Sequence, residues 1–269
     1  GKVVPALPSG QIDLEALSSL ITPRTALFSI TAADGLTGVI QPIEEIAALC
    51  KERGVLLHLD VSYAIGKLTL SFSDWGIDYV SFSGDRMHAL KSAGALFAKK
   101  GVPLEPYVLG GSEQGGLRGG AFDAPSFMGL AAAAVQSQLF LDRMGLETAR
   151  LRDLLEEELE KNLPGTLRLF VDQLRLPNVS LLSFPRVHAE ALFYHLSKRG
   201  VLASLGGSFA PPLASLLQRL GLESSTSETA ISFALSRYTT EEEILRAARL
   251  IQESVVSLQS VSEGLFSCP

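Results

Sequence analysis

Cysteine is scarce in this chain of 269 residues, which contains two cysteines, one tryptophan and three methionines. Cys50 and Cys268 are too few to build a disulfide framework, and this favours a reducing compartment, the cytoplasm. Neither a Cys-x-x-Cys nor a His-Glu-x-x-His spacing occurs in the sequence. Because such spacings are the usual signature of a zinc site, we predict that the chain binds no metal.

Long apolar runs and an excess of positive charge are also missing. No apolar run approaches the ~20 residues that a membrane-spanning helix needs, and the alanine-rich stretch 130–135 predicts a buried helix instead. The formal net charge of -6 argues against a surface for nucleic acid or for an anionic membrane. The sequence begins with neither Met nor a signal-peptide pattern, so we expect it to start inside a fold, as a truncated domain would.

Apolar runs of strand length alternate with helical patterns in the first half of the chain. Gly54 follows a stripe of apolar residues at helical spacing and is typical of a helix end. Alternating strands and helices predict a parallel sheet with both faces covered. The strands are expected at residues 26–31, 55–60, 79–83 and 94–98. Asp60 and Ser83 end two of these strands, at the edge where such sheets bind ligands.

The second half of the chain has a different order, in which helices bracket a few strands. The elements expected there are helices at 147–162, 189–198 and 213–220 and strands at 178–184 and 230–235. Thr240 and Glu243 have the spacing of a capping box and open the last helix. The acidic run Glu156–Glu158 is interpreted as a solvated helix face. We therefore predict a partial large domain over residues 1–139 and a small α+β domain over residues 140–269.

Five short segments carry a resemblance that no single one of them would establish. In chain order they are residues 10–17 (GQIDLEAL), 38–43 (GVIQPI), 58–67 (HLDVSYAIGK), 110–120 (GGSEQGGLRGG) and 233–243 (FALSRYTTEEE). Their order and spacing resemble the cysteine desulfurases, the NifS-like group of class-V aminotransferases. The resemblance begins partway into that family's domain. It implies an α/β fold, fold type I of the transferases that depend on pyridoxal phosphate (PLP). In that fold a mostly parallel sheet forms the large domain, and a small α+β domain follows it.

The resemblance also implies PLP as the cofactor and a homodimer as the assembly. Asp60 matches the aspartate that pairs with the pyridine nitrogen and keeps the ring an electron sink. Ser83 matches the serine that contacts the phosphate, since a hydroxyl suits an anion. Tyr63 stands where the family has a glutamine beside the ring hydroxyl. Together with Arg86, these residues form the remnant of a PLP pocket that the resemblance implies.

Several positions that carry the family's chemistry are changed. Arg86 stands at the lysine that forms the Schiff base, and a guanidinium cannot replace a neutral amine there. Ser208 best matches the sulfur-accepting cysteine, and a serine cannot form a persulfide. Asp85 replaces the loop histidine, and Ser232 replaces the arginine that binds the substrate carboxylate. We therefore assign no catalytic residue and expect a homologue without desulfurase turnover, a binding or regulatory protein with a protein partner.

Two other interpretations stay open. In the first, the chain is a working class-V enzyme that holds PLP noncovalently or takes another substrate, with Asp60, Ser83 and Arg86 as its pocket. In the second, it is a fragment with no function of its own. A working enzyme should bind PLP and lose it when Asp60 is replaced by alanine, whereas a degenerate protein should be indifferent to that change.

Overall fold

A computed structural model describes residues 1–207 and 211–266, with side-chain positions up to residue 260. Ser208 and Cys268 lie outside the described side chains. In chain order the helices are α1 (Leu14–Leu20), α2 (Ile43–Arg53), α3 (Phe72–Trp75), α4 (Ala124–Leu139), α5 (Leu141–Arg143), α6 (Ala149–Asn162), α7 (Ala189–Lys198), α8 (Leu213–Arg219), α9 (Ser224–Ser227) and α10 (Glu241–Phe266). The strands are β1 (Leu27–Thr31), β2 (Leu56–Asp60), β3 (Tyr79–Ser83), β4 (Gly94–Ala98), β5 (Leu167–Arg168), β6 (Val179–Ser183) and β7 (Ala230–Ala234).

The chain divides into two compact units. The sheet unit contains residues 17–32 and 42–141, and the C-terminal unit contains residues 1–16, 33–41 and 142–269. The chain passes between the two units four times, the last time between Leu141 and Asp142. The stretch 33–41 joins the C-terminal unit through its backbone, since Leu176 N–H donates to Gly38 O at 2.7 Å. The single domain cut near residue 140 stays a prediction.

The sheet unit is built on four strands in the order β1-β2-β3-β4. β1, β2 and β3 run parallel, and β4 pairs antiparallel with β3. Side chains alternate between the two faces of each strand, and Leu57, Leu59 and Val80 are buried on one face. α2 packs against β2. Its buried residues are the apolar stripe that the sequence predicted, Ile43, Ile46, Ala47 and Cys50.

α2 ends where the sequence predicted an end. Gly54 follows the helix with a φ of 66°, a left-handed conformation that glycine adopts at little cost. Its N–H donates to Lys51 O at 3.3 Å, and the next N–H, of Val55, donates to Cys50 O at 2.9 Å. The carbonyls of Cys50 and Lys51 are thereby satisfied, and the chain turns directly into β2, which ends at Asp60.

The C-terminal unit holds an antiparallel sheet in the order β5-β6-β7. β6 is the central strand, and all of its residues are buried. Leu182 and Ile231 belong to a core that includes residues of α6, α7 and α10. Leu181 and Ala230 pack instead with Leu213 of α8. Helices therefore cover both faces of this small sheet, and for this reason every residue of β6 is buried.

The interpretation of Glu156–Glu158 as a solvated helix face is wrong for its first residue. The Glu156 side chain is 1% exposed and accepts two hydrogen bonds from the Arg175 guanidinium, at 2.9 and 3.3 Å. α6 points Leu155 and Leu159 into the core, and Glu156 lies next to that stripe. Glu157 is exposed, as expected. The prediction used only the charge pattern of one helix. That pattern contains no information about Arg175, which lies on a later segment and pairs with Glu156.

Candidate functional site

Four predicted site positions lie at the carboxyl ends of β2 and β3 or in the turns that follow them. Asp60 ends β2, and Tyr63 lies in the turn after it. Ser83 ends β3, and a short 3₁₀ turn that contains Arg86 follows. The Ser83 N–H donates to Ser62 Oγ at 3.0 Å and ties the two turns together. The adjacent parallel strands therefore bring these residues to one edge of the sheet unit, where open α/β sheets bind ligands.

The Asp60 carboxylate is held by two hydrogen bonds. Its Oδ1 accepts the backbone N–H of Ser62 at 2.8 Å, which caps the turn after β2. Its Oδ2 accepts the hydroxyl of Ser81 at 3.3 Å, from the register partner on β3. Both oxygens thus have donors, and this arrangement fixes the orientation of the carboxylate at the strand end.

The hydrogen bonds continue beyond Asp60 across the same face of the sheet. His58 Nε2 lies 2.9 Å from Ser81 Oγ, and His58 Nδ1 lies 2.7 Å from Ser29 Oγ on β1. No role was predicted from the sequence for Ser29, His58 or Ser81. The sequence contained one indication of this network. Side chains alternate between the faces of a strand, so His58 lies on the same face as Asp60.

The hydroxyl of Ser83 is engaged within its own turn. Ser83 Oγ donates to Asp85 Oδ1, so its single hydrogen points at a carboxylate. The same Asp85 carboxylate lies next to Arg86, whose Nε is 3.8 Å from Oδ2. The phosphate-contact position implied by the resemblance therefore carries a negative charge beside its hydroxyl.

Arg86 is placed by an aromatic ring as well as by Asp85. Its guanidinium carbon lies 4.8 Å from the centre of the Tyr63 ring, within the range of a cation–π interaction. The Arg86 side chain is 42% exposed. A primary amine also reaches this turn, because Lys67 Nζ donates to the backbone oxygen of Arg86 at 3.1 Å. The turn thus presents the Arg86 guanidinium, and the Lys67 ammonium group binds its backbone.

Comparison with known proteins identifies the family. Residues 2–246 match the family model described as aminotransferase class-V. This chain belongs to the class-V aminotransferase family. A cysteine desulfurase from Nostoc sp. is 36% identical over 258 residues, which are 94% of this chain and 64% of that protein. The cysteine desulfurase NifS of Azotobacter vinelandii is 33% identical over 264 residues, 96% of this chain and 65% of that protein.

Solved structures support the same family and confirm the predicted fold class. A NifS-like protein superposes with a TM-score of 0.84 at 31% identity, over 95% of this chain and 68% of that one. DndA from Streptomyces lividans superposes with a TM-score of 0.71 at 30% identity, over 87% of this chain and 67% of that one. The chain spans 64% of the length of the Nostoc relative. The fold is thus that of the PLP-dependent class-V enzymes, fold type I, α/β with a mostly parallel sheet.

The class-V family is PLP-dependent, so the donors around Asp60 can be tested against that cofactor. The Asp60 carboxylate is a suitable partner for a pyridine nitrogen. The other groups do not suit a covalently held PLP. Arg86 offers no neutral primary amine, the Asp85 carboxylate would repel a phosphate, and Lys67 Nζ is directed at a backbone carbonyl. The chemistry of Asp60 therefore suits a PLP ring, and that of Arg86 does not suit a covalent anchor.

Two predicted positions remain. Ser208, which the resemblance aligns with the cysteine, is outside the described residues. Ser232, which the resemblance aligns with the substrate arginine, is buried in the C-terminal unit, where its hydroxyl donates to Leu36 O at 2.7 Å. Within residues 1–207 and 211–260, His, Cys, Asp and Glu side chains form no group of three that could hold a metal. No helix in the described part of the chain is long and apolar enough to cross a bilayer.

Proposed function

We propose that this chain is a cysteine-desulfurase-like member of the class-V family that does not turn over cysteine and acts as a binding or regulatory protein. The observation that carries the proposal is Arg86, fixed over the Tyr63 ring and beside Asp85 at the position where the resemblance expects the Schiff-base lysine. An arginine is charged at every pH that a protein tolerates, so it cannot form an imine with an aldehyde. Residue 86 therefore supplies no amine for a covalent link to PLP.

Two further positions support the loss of turnover. Ser208 stands where the resemblance expects the sulfur acceptor, and an alcohol cannot take the place of a thiolate in accepting sulfur. Ser232 stands where it expects the substrate arginine, and its hydroxyl is engaged with a backbone carbonyl inside the C-terminal unit. The Schiff-base lysine, the sulfur-accepting cysteine and the substrate-binding arginine serve different steps of the desulfurase reaction. Their joint absence therefore argues against an enzyme that runs the same reaction on another substrate.

The assembly and the location are part of the same proposal. A homodimer follows from the family resemblance, and a protein partner follows from a regulatory role. The scarcity of cysteine favours the cytoplasm. We propose no nucleic-acid or membrane partner, because the net charge of -6 opposes binding to a polyanion.

A second function is favoured by one observation. The Asp60 carboxylate is held at the end of β2 by Ser62 N–H and Ser81 Oγ, and the resemblance expects the partner of the pyridine nitrogen at this residue. In this second function, the chain binds PLP noncovalently and is a working class-V enzyme with an altered site. The two functions differ in whether Asp60 matters for PLP binding.

The experiment that separates them is a PLP titration of the purified chain, followed by visible absorbance and by borohydride reduction with peptide mass spectrometry. The proposed function predicts no lysine adduct and the same spectrum for the wild type and Asp60→Ala. Saturable binding that Asp60→Ala abolishes would support the second function. An adduct on Lys67 or Lys91 would overturn the view that the anchor has been lost, and the release of alanine and sulfide from cysteine would overturn the whole proposal.

A further inference from the structure

A row of four polar side chains crosses three strands of the sheet unit. Ser29 on β1 and His58 on β2 are register partners, and so are Asp60 on β2 and Ser81 on β3. The distances along the row are 2.7 Å from Ser29 Oγ to His58 Nδ1, 2.9 Å from His58 Nε2 to Ser81 Oγ, and 3.3 Å from Ser81 Oγ to Asp60 Oδ2. Each side chain therefore contacts the next along one face.

One assignment of the hydrogens satisfies every contact in this row. Ser81 gives its single hydroxyl hydrogen to the Asp60 carboxylate, and its oxygen accepts from His58 Nε2–H. The neutral imidazole then has its lone pair at Nδ1. That lone pair accepts the hydroxyl hydrogen of Ser29. With this assignment, the lone pair at His58 Nδ1 is a base aimed at the Ser29 hydroxyl.

We propose that Ser29 is the nucleophile of an acyl-transfer site for activated esters, with His58 as the general base and Ser81 and Asp60 orienting the imidazole. A nucleophile, a base within hydrogen-bond reach and a third group that orients the base are the components that activate a serine. The proposal goes beyond the function proposed above, because nothing in it requires PLP.

The position of Ser29 suits an incoming substrate. Its side chain is exposed, on the edge strand of the sheet. Ala26 O and Ala32 N bond to β2, and backbone groups alternate in direction along a strand. The N–H of Ser29 therefore points away from β2, and the outer edge of β1 is where it can meet the oxygen of an attacked carbonyl.

The reaction balances without another cofactor. Ser29 Oγ bonds to the carbonyl carbon of the ester while its proton passes to His58 Nδ1. The bond between that carbon and the leaving oxygen breaks, and the leaving group takes the proton from Nδ1. Water then attacks the acyl-serine and gives a proton to Nδ1. When the bond between carbon and Ser29 Oγ breaks, that proton returns to Ser29 and the carboxylic acid leaves.

The test uses the PLP-free chain, a fluorophosphonate probe and p-nitrophenyl acetate. The expected result is a probe adduct on the peptide that contains Ser29, and ester hydrolysis that Ser29→Ala abolishes. His58→Gln should slow both reactions by about 100-fold or more, the usual contribution of a general base. Ser18→Ala is the matched control and should leave both rates unchanged, because Ser18 Oγ accepts from Arg53 rather than from an imidazole.

Several results would overturn the inference. These are the absence of an adduct on Ser29, an equal adduct in His58→Gln, or hydrolysis that survives Ser29→Ala. Circular dichroism of each variant shows whether it has folded. If His58→Gln does not fold, Ser81→Ala takes its place. Slower ester hydrolysis in Ser81→Ala supports the proposal that Ser81 orients His58, and an unchanged rate overturns it. The PLP titration is read separately, so failure of this inference leaves the proposed function untouched.

Discussion

The guanidinium carbon of Arg86 lies 4.8 Å from the centre of the Tyr63 ring, while its Nε lies 3.8 Å from Asp85 Oδ2. A cation over an aromatic face and beside a carboxylate is attracted to both. The three side chains therefore keep a permanent positive charge where the resemblance expects a lysine that loses its proton. This relationship ties the turn after β3, which contains Asp85 and Arg86, to the turn after β2, which contains Tyr63.

Arg86→Lys combined with Asp85→His is expected to give the chain a PLP adduct that borohydride traps at position 86. The lysine supplies a primary amine, and the histidine removes the carboxylate that engages the Ser83 hydroxyl. Peptide mass spectrometry after reduction measures the adduct. The wild type and Arg86→Ala serve as controls and should yield none at this position. If the double variant also yields none, the block to PLP lies elsewhere in the pocket.

The energetic effects of replacing Glu156 and Arg175, which form a buried ion pair in the C-terminal unit, are expected to be coupled. Removal of one partner leaves an uncompensated charge in the core. Glu156→Gln or Arg175→Met alone should therefore lower the free energy of unfolding by about 3–5 kcal/mol. The double change should cost less than the sum of the single changes, because neither charge is then left alone.

Urea denaturation of the four proteins in this cycle measures that coupling. The exposed pair Arg150 and Glu147, at 2.8 Å, is the matched control. Replacement of its charges should have a much smaller effect, because solvent screens both groups. Additive losses for Glu156 and Arg175 would contradict the prediction and would assign the stability to packing alone.

Most of the fold could be predicted from the sequence, because local patterns determine most of it. The strand 79–83 was predicted with the bounds of β3, and the helix 189–198 with those of α7. The capping box at the start of α10 is confirmed: Thr240 N–H donates to Glu243 Oε2 at 2.9 Å, and Glu243 N–H donates to Thr240 Oγ1 at 3.3 Å. Hydrophobic periodicity, capping residues and helix-ending glycines each involve residues that are close together in the chain. They can therefore be recognised in a single sequence.

The parts that could not be predicted depend on partners far apart in sequence. Glu156 was misread because Arg175 lies on a different segment, and burial of a charge depends on the partner. The row from Ser29 to Asp60 was missed for the same reason. Only strand register shows that Ser29 lies opposite His58. Asp60 and Ser83 were placed correctly at one edge, because the rule for parallel sheets needs only strand ends.

Gly66→Ala is expected to destabilise the sheet unit more than Gly76→Ala does. Both glycines have a left-handed backbone, with φ of 70° and 71°. A Cβ on Gly66 would lie 2.8 Å from Ser137 Cβ, whereas a Cβ on Gly76 would meet nothing within 4 Å. Each change carries the cost of about 1 kcal/mol for a side chain at positive φ, and only Gly66→Ala adds a clash. Thermal unfolding of the two variants measures the difference, and equal melting temperatures would refute it.

Cys50 is expected to resist alkylation in the folded chain. Burial in α2, and secondly the negative charge of Asp78, raise the pKa of its thiol to about 11. Because the thiolate is the reactive form, only about one molecule in a thousand is reactive at pH 8, compared with about a quarter for a free thiol. Iodoacetamide should therefore modify Cys50 at least about 100-fold more slowly in buffer than in urea. The background variant Cys268→Ser restricts labelling to this thiol.

The same pKa shift fixes the sign of a stability change at alkaline pH. The folded state holds the thiol proton more tightly than the unfolded state does, so unfolding releases a proton once the pH exceeds the ordinary value for cysteine. The contribution of Cys50 to the free energy of unfolding is complete below that value and falls as the pH rises towards about 11. Cys50→Ala should remove this part of the alkaline slope in urea titrations. An unchanged slope, or equal alkylation rates in buffer and urea, would show that Cys50 is not a buried neutral thiol.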